Sequence, residues 1–170
     1  GDSPPPQNEE SRINPGNPYA CAKAAAYYLC RHYRETYGMF AATAIFFNHD
    51  SPRRGEEYLL HHICNSVARI AKGKQKKLVL GNLNLHVDIG FAGDYVNAAW
   101  QIMQLPEADD FVIGSGVAWS IGQMALCAFQ CAGISEFFGS EIEIDPIFNR
   151  PGKQPVLLAN YKKAKDTFGF

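Results

Sequence analysis

Pro18-Tyr19-Ala20-Cys21-Ala22-Lys23 sets a tyrosine and a lysine four residues apart at the start of an alanine-rich apolar run. Read as one helix over Tyr19 to Tyr37, the run puts both side chains on the same face, one turn apart. A phenol ordinarily titrates near ~10 and is a poor base at neutral pH, whereas a neighbouring ammonium favours phenolate and lowers that value. Tyr19 then has the chemistry to take a proton from a sugar hydroxyl. The same spacing alone also fits a packed tyrosine beside a solvated lysine, so the flanking sequence has to choose.

Upstream, residues 1–18 hold five prolines and the Asn8-Glu9-Glu10 cluster, which predicts an extended surface segment rather than a regular element. With no initiator methionine, strand or glycine-rich turn before Tyr19, the chain is expected to open in the middle of a larger fold. Downstream, Gly38 is a natural helix C-cap, and the uncharged run Phe40 to Phe47 predicts a strand buried on both faces of a parallel sheet. Asn48-His49-Asp50-Ser51-Pro52-Arg53-Arg54-Gly55 follows as a loop at the carboxyl end of that strand, where open α/β sheets place their ligands. Its adjacent arginines suit phosphate oxygens, and equally suit plain solvation.

Leu59, Leu60, Ile63, Val67 and Ile70 keep helical spacing within Glu56 to Lys74, and the lysines at 72, 74, 76 and 77 read as a solvated loop at the helix end. Strand patterns follow at Leu78 to Leu83 and Val87 to Gly90, then a helix from about Asp94 to Leu105 and a strand over Asp110 to Gly114. Val112-Ile113-Gly114-Ser115-Gly116 imitates the opening of a dinucleotide-binding turn. Trp119 stands where the third glycine belongs, and no acidic residue closes a strand about 20 residues on, so this reading is rejected. A helix over Trp119 to Gly133, a strand around Glu141 to Ile144, the loop Asp145 to Pro151 and a last helix from Tyr161 complete the pattern.

Composition excludes several function classes. The 170 residues are 46% hydrophobic and fit one domain of ordinary size. Sixteen basic and seventeen acidic side chains give a net charge of −1, so no overall field draws the chain to nucleic acid or an anionic membrane. Five cysteines without a Cys-x-x-Cys pair argue for a reducing compartment, read as the cytoplasm, with Cys127 and Cys131 as core residues. His61 and His62 fall on different helix faces without partners at ligand spacing, so no metal site is expected. No apolar run reaches the ~20 residues of a membrane-crossing helix.

Tyr19-x-x-x-Lys23 after Asn17-Pro18, Phe47 to Gly55, Leu80-Gly81-Asn82-Leu83, Asp94-Tyr95-Val96 and Arg150-Pro151 occur together, in an order that resembles the GDP-mannose 4,6-dehydratases. These are extended short-chain dehydrogenase/reductases. The resemblance covers nearly the whole chain. Tyr-x-x-x-Lys marks the superfamily, and the Phe-Asn-His-x-Ser-Pro-Arg-Arg-Gly stretch marks this branch.

The resemblance implies an α/β fold: the second half of the Rossmann-type domain plus a small carboxyl-terminal substrate-binding lobe. Residues 1–77 would be the remainder of the Rossmann-type domain, and 78–170 mostly the substrate lobe with some Rossmann elements interleaved. It implies a lyase using NADP, with NAD left open, on a nucleotide sugar. In this family the hexose is oxidised at C4, loses water across C5 and C6, and receives the hydride back at C6. By position, Tyr19 and Lys23 would be catalytic and, with His49 and Arg54, would touch the cofactor. Asn48, Asn82 and Arg150 would face the substrate. Relatives pair through the Tyr19 helix, which implies a homo-oligomer. The glycine-rich phosphate turn and the Ser/Thr and Glu of the dehydration step would precede Gly1.

The chain departs from the family at Val87 to Val96, where it lacks an arginine, a histidine and a lysine that grip the nucleotide, and at Lys153, where glutamate is usual. A different base or sugar stays open, as do a related epimerase or reductase and a non-catalytic binding or oligomerisation fragment.

Overall fold

The computed structural model describes residues 3–148 and 156–170. Among these residues five α-helices and seven strands follow in the order α1 (Pro18–Tyr37), β1 (Thr43–Phe46), β2 (Asn48–Asp50), α2 (Leu59–Ala71), β3 (Leu78–Leu80), β4 (His86–Phe91), α3 (Ala92–Ile102), β5 (Asp110–Ile113), β6 (Ala118–Ser120), α4 (Ile121–Cys131), β7 (Ile142–Ile144) and α5 (Lys162–Phe168). β1 pairs with β5 and β3 with β7, both in parallel, as an α/β pattern requires. A third ladder has the order β2-β4-β6. The chain forms two compact units, each assembled from separated segments: residues 1–49, 88–118 and 155–170, and residues 50–87 and 119–154.

In the first unit, α1 begins where the sequence predicts. Asn17 caps it by accepting from the Ala20 amide at 2.8 Å, and Pro18 follows at the first turn, where its missing N–H costs nothing. Gly38, in the left-handed region at φ 62°, ends the helix and returns its amide to the Arg34 carbonyl. Arg34 also fixes that end to β5 through Asp110, at 2.9 Å. Burial pushes the Asp110 carboxyl up, but Arg34 foremost, with Thr43 and Tyr27, more than offsets this and holds it below the usual carboxylate range. The core joins Tyr95, Ala98 and Ile102 of α3 to Phe111 and Ile113 of β5 and Ala164 of α5.

The proline-rich entry segment is pinned rather than loose. Gln7 bridges to Ala159 in parallel, and the Glu9 carboxylate accepts the Val112 amide at 2.7 Å, supplying that β5 amide with a partner.

In the second unit, α2 turns Ile63 and Val67 inward, while α4 contributes Ile121, Met124, Ala125 and Phe129 and packs against α2. α4 starts at Ile121 rather than Trp119. Ser120 and Gln123 form a reciprocal capping box, which satisfies the first-turn amides and leaves Trp119 in β6.

Three expectations are corrected. The strand read over Phe40 to Phe47 is the shorter β1, half-buried with Phe46 exposed. It packs against β5 and α3, and none of its residues is fully buried. The loop read from Asn48 begins instead as β2. Cys127 and Cys131 are exposed, because α4 buries the opposite stripe through Ala125 and Phe129.

Candidate active site

On α1 the Lys23 ammonium lies 5.6 Å from the centroid of the Tyr19 ring. The i,i+4 spacing alone brings them together. Tyr19 is 71% exposed, and α1 has no fully buried residue, so the pair stands open to a ligand.

Asn48 and His49 lie on β2, also in the first unit up to residue 49. Asn48 is held twice. Its side-chain amide donates to the Asp88 carbonyl at 3.1 Å, and its own carbonyl accepts from the Tyr95 hydroxyl at 3.1 Å. His49 stacks on the Tyr95 ring with centroids 4.8 Å apart, and its Nδ1 lies 3.0 Å from the Phe47 carbonyl. A carbonyl only accepts, so Nδ1 carries the proton of this contact. Tyr95 is almost fully buried; burial first, then the nearby Asp88 and Asp94 charges, push its phenol above the usual value. Tyr95 therefore stays a neutral donor.

Arg54 and Asn82 belong to the second unit. The Arg54 guanidinium carbon sits 3.6 Å from the Tyr58 ring centroid, and its Nε is buried without a hydrogen-bond partner among the described residues. A guanidinium stacked on an aromatic face keeps its in-plane N–H groups available. Asn82 closes an Asx turn, accepting the Asn84 amide at 2.9 Å. Arg150 lies outside the described residues. Among those described, no group of three His, Cys, Asp or Glu side chains is placed to hold a metal.

The residue that sequence reading passed over is Asp88. It is wholly buried. One carboxylate oxygen accepts the Ser115 amide at 2.8 Å and hydroxyl at 2.7 Å; the other accepts the Gly116 and Ala159 amides, each at 2.9 Å. This explains physically why Gly114-Ser115-Gly116 is no dinucleotide turn: amides that would face a phosphate already face a carboxylate. The glycines answer to packing, since a Cβ at Gly114 would collide with Ala159, and Gly116 adopts φ +70°. The available signal was an acidic residue within the strand pattern at Val87 to Gly90, a place where a carboxylate needs donors.

The family model for GDP-mannose 4,6 dehydratase matches residues 1–170. The chain belongs to the GDP-mannose 4,6 dehydratase family. GDP-mannose 4,6 dehydratase 2 of Arabidopsis thaliana is 39% identical over 170 residues, a match covering 100% of this chain and 45% of that protein. The chain spans about half the length of the curated relatives it matches. Among solved structures, RMD from Pseudomonas aeruginosa complexed with NADPH matches with a TM-score of 0.84 at 26% identity, over 96% of this chain and 54% of that one. dTDP-glucose 4,6-dehydratase from Bacillus anthracis in complex with NAD matches with a TM-score of 0.81 at 21% identity, over 95% and 49%. This GDP-mannose 4,6 dehydratase family member thus has the α/β, Rossmann-type fold of the extended short-chain dehydrogenases expected from its motifs, and aligns with about half of each neighbour.

Proposed function

We propose that this chain carries the carboxyl-terminal part of a sugar-nucleotide 4,6-dehydratase acting on GDP-mannose or a close relative. The observation that carries this reading is the family match over every residue, with the Tyr19 and Lys23 side chains adjacent and open on α1. Tyr19 takes the proton of the C4 hydroxyl, and Lys23 places a positive charge beside the phenol to favour that transfer. A bound nicotinamide supplies the acceptor and later donor of the hydride. The described residues fit one end of such a cofactor: the Lys23 ammonium presents donors for its ribose and the Tyr19 oxygen an acceptor, whereas the Ser115 and Gly116 amides are engaged by Asp88. NADP is favoured over NAD by the family resemblance and by the NADPH-bound neighbour.

His49 and Arg54 are assigned to the cofactor, and Asn48, Asn82 and Arg150 to the nucleotide sugar. The assignment of 1–77 to a Rossmann-type remainder and of 78–170 mostly to a substrate lobe belongs to the same reading. Homo-oligomerisation through α1 is supported by its exposed Tyr28, Leu29, Tyr33 and Tyr37, an apolar surface of the kind that subunit interfaces cover. No helix among the described residues is long and apolar enough to cross a membrane, and the cysteine usage favours the cytoplasm.

The test is to incubate the protein carrying this chain, at the length of its relatives, with GDP-mannose and NADP. The expected product has lost one water and carries a C4 carbonyl and a C6 methyl group. Epimerised sugar of unchanged mass, or no dehydrated product from GDP-mannose or a related nucleotide sugar with cofactor-loaded protein, would overturn the reading.

A further inference from the structure

We infer that Tyr95 is a positioning residue that sets Asn48 and His49 for their ligands by two separable contacts: its hydroxyl fixes the Asn48 main chain and its ring fixes the His49 imidazole. The inference rests on the proposed roles of those two residues, and adds to them how they are held.

β2 is three residues long, too short for a ladder alone to fix the pitch of its side chains. Asn48 is exposed, whereas Tyr95 is 2% exposed and anchored in the α3 core. Position is thus transmitted from a rigid element to an open one. The Tyr95 hydroxyl donates to the Asn48 carbonyl at 3.1 Å, and the face of the same ring lies 4.8 Å from the His49 centroid at an interplanar angle of 30°. Asp88 completes the clamp by accepting the Asn48 side-chain amide on its carbonyl. Gly90 makes room for the ring: a Cβ there would lie 2.7 Å from Tyr95 Cε2 and 3.0 Å from its hydroxyl. The phenol keeps its proton, since burial and the Asp88 and Asp94 charges all oppose ionisation.

The two contacts lead to different residues, so their losses separate. In the full-length enzyme, Tyr95→Phe removes only the hydroxyl. The KM for GDP-mannose is expected to rise about tenfold, the value of roughly one hydrogen bond, with kcat and the NADPH dissociation constant nearly unchanged. Tyr95→Leu also removes the stack, and should weaken NADPH binding about tenfold as well. Gly90→Ala, which displaces the ring without altering it, should reproduce the KM increase and serves if either Tyr95 variant fails to fold. Asn48→Ala and His49→Ala, measured alongside, test the underlying roles. If they shift the sugar and cofactor constants respectively while folded Tyr95→Phe and Gly90→Ala shift neither, the positioning role is overturned. If Asn48→Ala and His49→Ala leave both constants unchanged, the site assignment fails and this inference with it.

Discussion

α1 and the β4-to-α3 region solve opposite problems. α1 buries no residue completely and presents Tyr19 and Lys23 by helical spacing alone. The β4-to-α3 region buries Asp88 and Tyr95 almost completely and uses them to hold other segments. The contrast teaches that a helix specified by local signals can leave its polar groups open to a ligand. The groups that hold other segments in place must instead be desolvated, where each hydrogen bond is stronger and each lost partner costs more. Substitutions at Tyr19 and Lys23 should therefore change chemistry and spare stability, and substitutions at Asp88 should do the reverse.

The largest effect expected is on turnover. Tyr19→Phe in the full-length enzyme should cost about 10²–10⁴-fold in kcat, the usual contribution of a proton-transfer group, while cofactor stays bound and the melting temperature stays put. Turnover within about threefold of the parent would remove Tyr19 as the base. A matching fall in melting temperature would erase the contrast drawn above.

Next comes Asp88→Asn. It keeps the shape but converts an acceptor-only carboxylate into an amide with two donors of its own, facing the Ser115, Gly116 and Ala159 amides. About 3 kcal/mol of stability should be lost, the order expected when buried donors lose a charged acceptor. Urea unfolding of the chain measures this, and a loss under about 1 kcal/mol would show that the network is replaceable.

Asp110→Asn should cost somewhat less, about 2 kcal/mol, because one bidentate partner is weakened, whereas Asp88→Asn leaves two of four buried donors facing an amide nitrogen. It carries a pH signature. The folded-state value of Asp110 is lowered, so its stabilisation is complete above the unfolded carboxylate value near ~4 and is lost as pH falls through the lower, folded value. Parent and Asp110→Asn stabilities should therefore converge on acidification below about pH 4. Parallel pH profiles would argue against the Arg34 pair as the source.

The smallest effect lies on the open side of α1. Arg31 and Glu35 pair at 2.7 Å with more than half of each side chain exposed, and a double-mutant cycle there should yield about 0.3–0.5 kcal/mol, shrinking with added salt. A coupling above about 1 kcal/mol would mean that the proposed subunit contact through α1 extends over this pair as well.

Much of the fold was legible because its signals are local. Asn17, Pro18 and Gly38 mark the ends of α1 by the conformations they favour, and Ile63 and Val67 give α2 its inward stripe. Boundaries slipped where a cap or ladder outweighed hydrophobic pattern, as at Ser120, where the capping box starts α4 two residues after Trp119. Cys127 and Cys131 were misplaced because i,i+4 spacing shows that two residues share a face, without showing which face is covered. For the candidate site, spacing alone nominated Tyr19 and Lys23, and a family-specific stretch nominated Asn48, His49 and Arg54. Asp88 could not. Its donors lie 27, 28 and 71 residues away, and no local pattern encodes which distant amide a carboxylate will meet.

The sequence by itself determined the α/β pattern, the family, and the Tyr19–Lys23 pair, because helical periodicity, caps and contiguous motifs act over a few residues. Only the tertiary structure decided that Asp88 takes the amides of the Gly114-Ser115-Gly116 turn, that Tyr95 braces Asn48 and His49, and that each compact unit gathers separated segments of chain. Those outcomes depend on which buried donors and acceptors find one another once the chain has closed its long loops, and that pairing is set by packing and desolvation rather than by neighbours in sequence.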